Sequence, residues 1–325
     1  MLWYLIRRIL YALPILLLVN ILTFTLFFVV NTPDDMARMQ LGEKHSTPEA
    51  IERWKTAHQY HLPYAYNADA SGLHRYTQTL FFQKTLQLFT FDFGQSLNGR
   101  TITQDLRERM GPSLALAIPT LLFGVLTNIV FALILMSFRG STFGKITTQL
   151  CIILMSISTL FYIIGGQYWL AKRANLFPIS GWQTGWHALN FIILPVCVSV
   201  LSGLGAGSRW YRAIFEEEWG KPYVRTAQAK GLNEWQCLFR HVVPNGFIPI
   251  ATGIVALLPL LFMGSLLIES FFGIPGLGSY TIDAIQLQDF EIVRVMVFIG
   301  TLLYLLGLTL TDIVYTWLDP RIQLH

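Results

Sequence analysis

Apolar residues along this 325-residue chain are gathered into long blocks separated by short polar stretches. A helix needs about 20 such residues to cross about 30 Å of hydrocarbon. Windows of that kind can be placed six times, at about 9–30, 112–138, 146–171, 188–208, 246–268 and 295–318. Backbone groups in lipid must pair within their own segment, so these windows read as helices. The chain is predicted to be all-α, a polytopic membrane protein with about six transmembrane helices. Residues 1–30 hold the N-terminus and the first helix, and 31–111 form a large loop region. The core, 112–325, holds helices 2–6, with a polar loop, 209–244, between helices 4 and 5.

Composition agrees, with 53% hydrophobic and 13% charged residues. Basic residues set the orientation. Arg7 and Arg8 precede the first window, Arg139 and Lys145 lie between the second and third, and Arg209, Arg212, Lys221, Arg225, Lys230 and Arg240 lie between the fourth and fifth. Arg321 follows the sixth, whereas 271–291 has no Lys or Arg. Both termini and the loop 209–244 are therefore expected on the cytoplasmic side, with Lys172-Arg173 as an exception. The start Arg7-Arg8 also fits a secretory or twin-arginine signal. The uncharged run that follows is longer than the about 7–15 residues of a signal's apolar region and has no small-residue cleavage site, so it reads as a retained helix. The three cysteines suggest no disulfide framework and read as small packing residues.

The loop 209–244 has its own punctuation. Pro222 suits the first turn of a helix and Gly231 the left-handed position after one. Asn233 then caps a second helix, with Gln236 placed as in a capping box, and Pro244 marks its end or a kink. Ala227 and Ala229 leave little bulk near the turn, so another surface could approach, while Tyr223 and Trp235 offer large anchors of the kind found at interface centres. The same amphipathic stretch also fits a helix lying on lipid headgroups. In the outer segment, Gly273, Pro275, Gly276 and Gly278 punctuate Gly-Ile-Pro-Gly-Leu-Gly. Pro275-Gly276 suits the centre of a type II turn with positive φ at the glycine. A phosphate-cradling loop is disfavoured there, since no strand precedes it, and 140–145 lacks P-loop spacing.

The spacing Arg225-Thr226-Ala227, Gly231 and His241-Val-Val-Pro244 resembles the EAA motif of ABC importer permeases. Arg225 stands where the pattern often has Glu, and His241 where an aliphatic residue is usual. The wording Tyr-Val-Arg-Thr-Ala-Gln-Ala-Lys-Gly-Leu at 223–232 is similar to the dipeptide, oligopeptide and nickel branch. Leu5-Ile-Arg-Arg-Ile with Pro14 resembles the first permease of its pair. Phe91-Asp-Phe-Gly-Gln-Ser96, Phe177-Pro-Ile-Ser-Gly181, Glu269 to Gly278, Asp289-Phe and Leu318-Asp-Pro-Arg-Ile322 resemble further stretches of that branch. Asn31-Thr-Pro-Asp stands where Pro-Gly-Asp-Pro is usual, and Glu291 where Pro is common.

The resemblance implies a permease subunit of the bacterial inner membrane, multi-pass, whose short loop helix seats in a cleft of an ATPase. Tyr223, Arg225, Thr226, Ala227, Ala229, Gly231 and Pro244 would then couple to that ATPase. Implied partners are a second homologous permease, two ATPase subunits, a periplasmic substrate-binding protein and membrane lipid, with no nucleic acid. The chain itself would bind no cofactor, since ATP and magnesium would sit on the ATPases. Short peptides are the implied cargo, with nickel or another small solute as the alternative. A self-powered secondary transporter would carry ionisable groups deep in its spans, whereas Glu269, Arg294 and Asp312 lie towards helix ends. An enzyme is disfavoured because no His-Glu-x-x-His or Gly-x-Ser-x-Gly motif is present. No substrate-binding, catalytic or metal-ligating residue is assigned.

Overall fold

The computed structural model describes residues 2–42, 46–57, 60, 62–68 and 70–318. The C-terminal motif beyond Leu318, with Arg321, lies outside the described residues. The described chain is helical, with one isolated bridge between Gln95 and Thr101 and no strand. Its helices are α1 (Leu2–Phe24), α2 (Pro33–Leu41), α3 (Pro48–Ala57), α4 (His74–Thr77), α5 (Leu80–Phe89), α6 (Ile102–Ser137), α7 (Thr142–Ser156) and α8 (Thr159–Gly166). They continue as α9 (Ala188–Trp219), α10 (Pro222–Ala229), α11 (Glu234–Cys237), α12 (Val243–Leu257), α13 (Leu266–Phe272), α14 (Leu277–Gln286) and α15 (Phe290–Leu318). Wider π turns extend α1 over Thr25–Val30 and α8 over Gln167–Arg173, and join α11 to α12 over Leu238–Val242. Five helical stretches are long and apolar enough to cross a membrane, and a bent pair makes a sixth. The chain is an all-α polytopic membrane protein.

Several expected boundaries move. The second span begins at Ile102, because Pro112 sits inside α6. The third breaks by 89° between Ser156 and Thr159. There Ser158 turns extended and its hydroxyl accepts from the Leu160 N–H, starting a new helix. The fourth runs on to Trp219, so Arg209 and Arg212 belong to α9 and the free loop is shorter than 209–244. The fifth stops at Met263, where Gly264 takes φ 70°, and does not reach 268. Pro244 neither ends nor interrupts the helical run Glu234–Met263.

The chain divides into two units. Unit 1 comprises Met1–Arg107 and Asp283–Leu305. In it, the stretch 31–101 holds the short helices α2 to α5. Thr32 opens α2 with a reciprocal capping box to Asp35, and Pro33 occupies the first turn. Phe24, Phe28, Met36, Tyr60 and Leu80 form its core, with Phe24 stacked on Phe28 at 4.8 Å. Beside that core is a charged cluster. Glu291 Oε1 accepts from Lys84 Nζ at 2.5 Å and from the Tyr60 hydroxyl at 2.7 Å, and Oε2 accepts from Arg294 Nη2 at 2.8 Å. Arg294 is 2% exposed.

Unit 2 comprises Glu108–Ile282 and Leu306–His325. Its helices α7 and α8 pack on α9. A side chain at Gly205 would put its Cβ 2.5 Å from the Cys151 carbonyl oxygen, so a bare glycine lets α7 and α9 close up. Buried Cys151 and Cys237 pack as expected, whereas Cys197 is exposed on this chain.

Breaking a buried ion pair from one side costs about 3–5 kcal/mol, whereas an apolar replacement of the whole group is often neutral. Glu291→Ala should therefore lower the thermal unfolding midpoint in detergent, and the triple change Lys84→Met, Glu291→Met, Arg294→Met should recover most of the loss. Equal midpoints for Glu291→Ala and the parent would show that the cluster contributes nothing.

Candidate functional site

Helix α10 begins at Pro222, whose missing N–H costs nothing in a first turn, and its last N–H acceptor pattern ends at Lys230. Gly231 follows with φ 86°, the left-handed position expected of it. Asn233 and Gln236 then form the predicted capping box, with Gln236 N–H donating to Asn233 Oδ1 at 2.8 Å and Asn233 N–H to Gln236 Oε1 at 3.0 Å. The local sequence thus makes a helix, a tight turn and a second helix.

One face of α10 is sealed into the protein. Val224 is 0% and Ala227 5% exposed, packed with Ala132 and Met136 of α6, Tyr211 and Phe215 of α9, and Cys237, Leu238 and Ile250. Ala227 therefore serves this internal packing, and the room for a partner is not made by it. Tyr223 is also turned to its own chain. Its hydroxyl donates to the nearly buried Glu218, which accepts from Lys221 as well. Burial, and then that hydrogen bond, hold the Tyr223 phenol well above its ordinary range.

The opposite face is open. Arg225, Thr226, Gln228, Ala229 and Lys230 are exposed, as is Gly231, whose missing side chain faces open space. Trp235 is also exposed, stacked on Phe239 at 5.8 Å, while Pro244 is exposed one helix on. Nearby, the Arg139 guanidinium lies 3.7 Å from the Trp219 ring and 3.5 Å from Glu234.

The glycine-rich segment 273–278 makes a different structure from the turn predicted. Gly276 does not take positive φ. The left-handed residue is Gly273, φ 64°, which closes α13, and α14 starts at Leu277 so that Gly278 is helical. What needs glycine at 276 is space, because a Cβ there would lie 2.3 Å from Glu269 Oε2 and 2.4 Å from Ser113 Oγ.

Glu269 is the centre of this arrangement and is 0% exposed. Its Oε1 accepts from Ser113 Oγ at 2.8 Å and from the Ser265 N–H at 3.0 Å. Its Oε2 accepts from the N–H groups of Gly278 at 2.7 Å and Ser279 at 3.1 Å. Burial pushes the Glu269 carboxyl above its ordinary range, while these four donors pull it back. The segment at 177–181 joins the same region. Gly181 N–H donates to the Phe272 carbonyl at 2.8 Å, and Gln167 Nε2 bridges the Ile179 and Phe271 carbonyls at 3.1 and 2.9 Å. The sequence marked Glu269 as a charge near a helix end and as the head of the stretch to Gly278, and gave Ser113 no role. The available signal was a lone carboxylate followed by a glycine-rich run with no basic residue near it.

Residues 128–324 match the model of the binding-protein-dependent transport system inner membrane component, and 1–68 match the N-terminal model of the same system. The chain belongs to this family. The permease is 29% identical to a putative peptide transport system permease protein of Brucella abortus (strain 2308), over 98% of each chain. It is 27% identical to a dipeptide transport system permease protein of Bacillus subtilis (strain 168), over 99% of this chain and 98% of that protein. An oligopeptide transport system permease protein of Mycobacterium tuberculosis is 29% identical over 98% of each. Among solved structures, an amino acid ABC transporter aligns with TM-score 0.50 and 14% identity, over 68% of this permease and 95% of that chain, which shows the fold alone.

Overpacking of this kind costs about 1–3 kcal/mol. Gly276→Ala should lower the thermal midpoint of the purified permease by that order, because the carboxylate or Ser113 must move. Gly165→Ala, where a Cβ meets nothing within 4 Å, is the matched control. A Gly276→Ala protein as stable as the Gly165→Ala protein would mean that the close approach is dispensable.

Proposed function

We propose that this permease imports short peptides across the bacterial inner membrane, driven by ATP that partner subunits hydrolyse. The observation that carries the reading is α10, fixed to the permease by one face and presenting Arg225, Thr226, Ala229 and Gly231 on the other. Such a helix suits docking into an ATPase cleft, with both termini and α10 cytoplasmic, as the basic residues around it favour. The peptide cargo rests on the names of the relatives, which span the whole chain. By the same family logic, the working complex includes a second homologous permease, two ATPase subunits that hold ATP and magnesium, and a periplasmic binding protein, all set in lipid. The permease has no ATP site of its own in this reading.

Gly231→Val tests the docking role. Positive φ costs a side-chain-bearing residue about 1–2 kcal/mol, and Gly140, φ 78° with the same open surroundings, is a matched strain control. Gly231→Val should accumulate in the membrane near the parent level but lose ATPase co-purification and ATP-driven uptake of defined di- and tripeptides. Gly140→Val should keep both to a larger extent. Normal uptake by Gly231→Val would make α10 a plain interfacial helix.

Orientation is tested separately. Single cysteines at the exposed positions Ser71 and Gln286 should react with a membrane-impermeant thiol reagent in cells with a permeabilised outer membrane, and one at Asn233 should stay unlabelled. Labelling at Asn233 in intact inner membranes would reverse the topology.

A further inference from the structure

Two cavities in unit 2, of about 370 and 610 Å³, share Thr120, Leu121, Ser199 and Leu257, so they form one groove along α6, α9 and α12. One end reaches Gly264 and Ser265, and the Ser265 N–H is one of the donors to Glu269. The other reaches Asn128, Trp210 and Tyr211, and Tyr211 belongs to the core that holds α10. Each cavity is of the size that holds a small ligand, about 300–1,000 Å³.

The chemistry of the wall is specific. Among the described residues, no Asp, Glu, Lys, Arg or His lines either cavity. Three of the lining hydroxyls have already committed their protons to their own helices. Thr120 Oγ1 donates to the Leu116 carbonyl at 2.8 Å, Ser199 Oγ to Pro195 at 2.7 Å and Ser202 Oγ to Ser199 at 3.0 Å. A hydroxyl that has given its proton still has lone pairs to accept with. Those three hydroxyls therefore offer acceptors to N–H groups among apolar walls. A lipid tail brings no donor. A packed helix from another subunit has its backbone N–H groups occupied within itself. A transition-metal ion is best held by carboxylate, imidazole or thiolate ligands, and none is among the described lining residues. An extended peptide, by contrast, carries free main-chain N–H groups at every residue.

We propose that this groove is the wall this permease contributes to the substrate path, and that it takes extended short peptides through Thr120, Ser199 and Ser202 without reading side-chain charge. The inference rests on the peptide-import reading above and adds where the peptide passes and why its side chains are not sorted there.

The test uses the complete complex, with its second permease, ATPases and binding protein, in vesicles. Initial uptake of Ala-Lys-Ala and Ala-Glu-Ala is compared in the parent and in Ser202→Asp. A fixed charge in the path should raise the ratio of lysine to glutamate peptide uptake by about fivefold or more over the parent, the size of one partly screened charge pair. If the parent takes up neither tripeptide, the peptide-import reading fails. If it takes up both and Ser202→Asp leaves the ratio unchanged, only the groove assignment fails. Should Ser202→Asp not assemble, Ser199→Cys decides, in a background with Cys151, Cys197 and Cys237 replaced by Ala. That thiol should react with a water-soluble methanethiosulfonate in the assembled complex, and tri-alanine supplied with ATP should slow the reaction. A thiol that does not react, or that tri-alanine fails to protect, would mean that protein or lipid fills the groove.

Discussion

The structure depends on one constraint: a backbone group that leaves water must still be paired. Long helices satisfy it by themselves. The informative places are those where a helix stops inside or beside an apolar stretch, because there a side chain must take over. Ser158 does so at the 89° break between α7 and α8, and Asn233 with Gln236 at the start of α11. Glu269 does most, accepting from three backbone N–H groups and a serine where α13 gives way to α14.

That carboxylate has none of its four donors from a cation, and this sets it apart from the half-buried Glu291, which Lys84 and Arg294 neutralise. The two solutions have different sensitivities. An amide cradle requires that the backbone be held in one shape, which is why glycine is required at 276. An ion cluster tolerates looser backbone but fails when one partner is lost.

Much of this was legible in the sequence. The six apolar windows marked the six spans, and Pro222, Gly231, Asn233 and Gln236 marked the helix–turn–helix around α10, because each of those residues acts on its own backbone within a turn. Boundaries were less legible. The windows near 112 and 208 were trimmed by hydropathy, whereas helices extend into polar sequence as long as nothing stops them, as α6 and α9 do, and the window to 268 ran past the stop at Gly264. The turn at 275–276 was misread because proline and glycine side by side satisfy a local rule, while the actual demand on Gly276 comes from Ser113 and Glu269, distant in sequence. Ala227 was misread for the same reason. A small residue signals closeness, but only the fold says to what.

The packing of α10 has a mechanical consequence. Val224 and Ala227 share one close-packed cluster with the ends of α6 and α9 and the start of the run into α12. Packed interiors are hard to compress and pass strain on. A push on the open face of α10 therefore cannot be absorbed by bending a flexible arm. It would meet Met136, Phe215 and Ile250 together, so the three long helices that carry them share one rigid footing under α10.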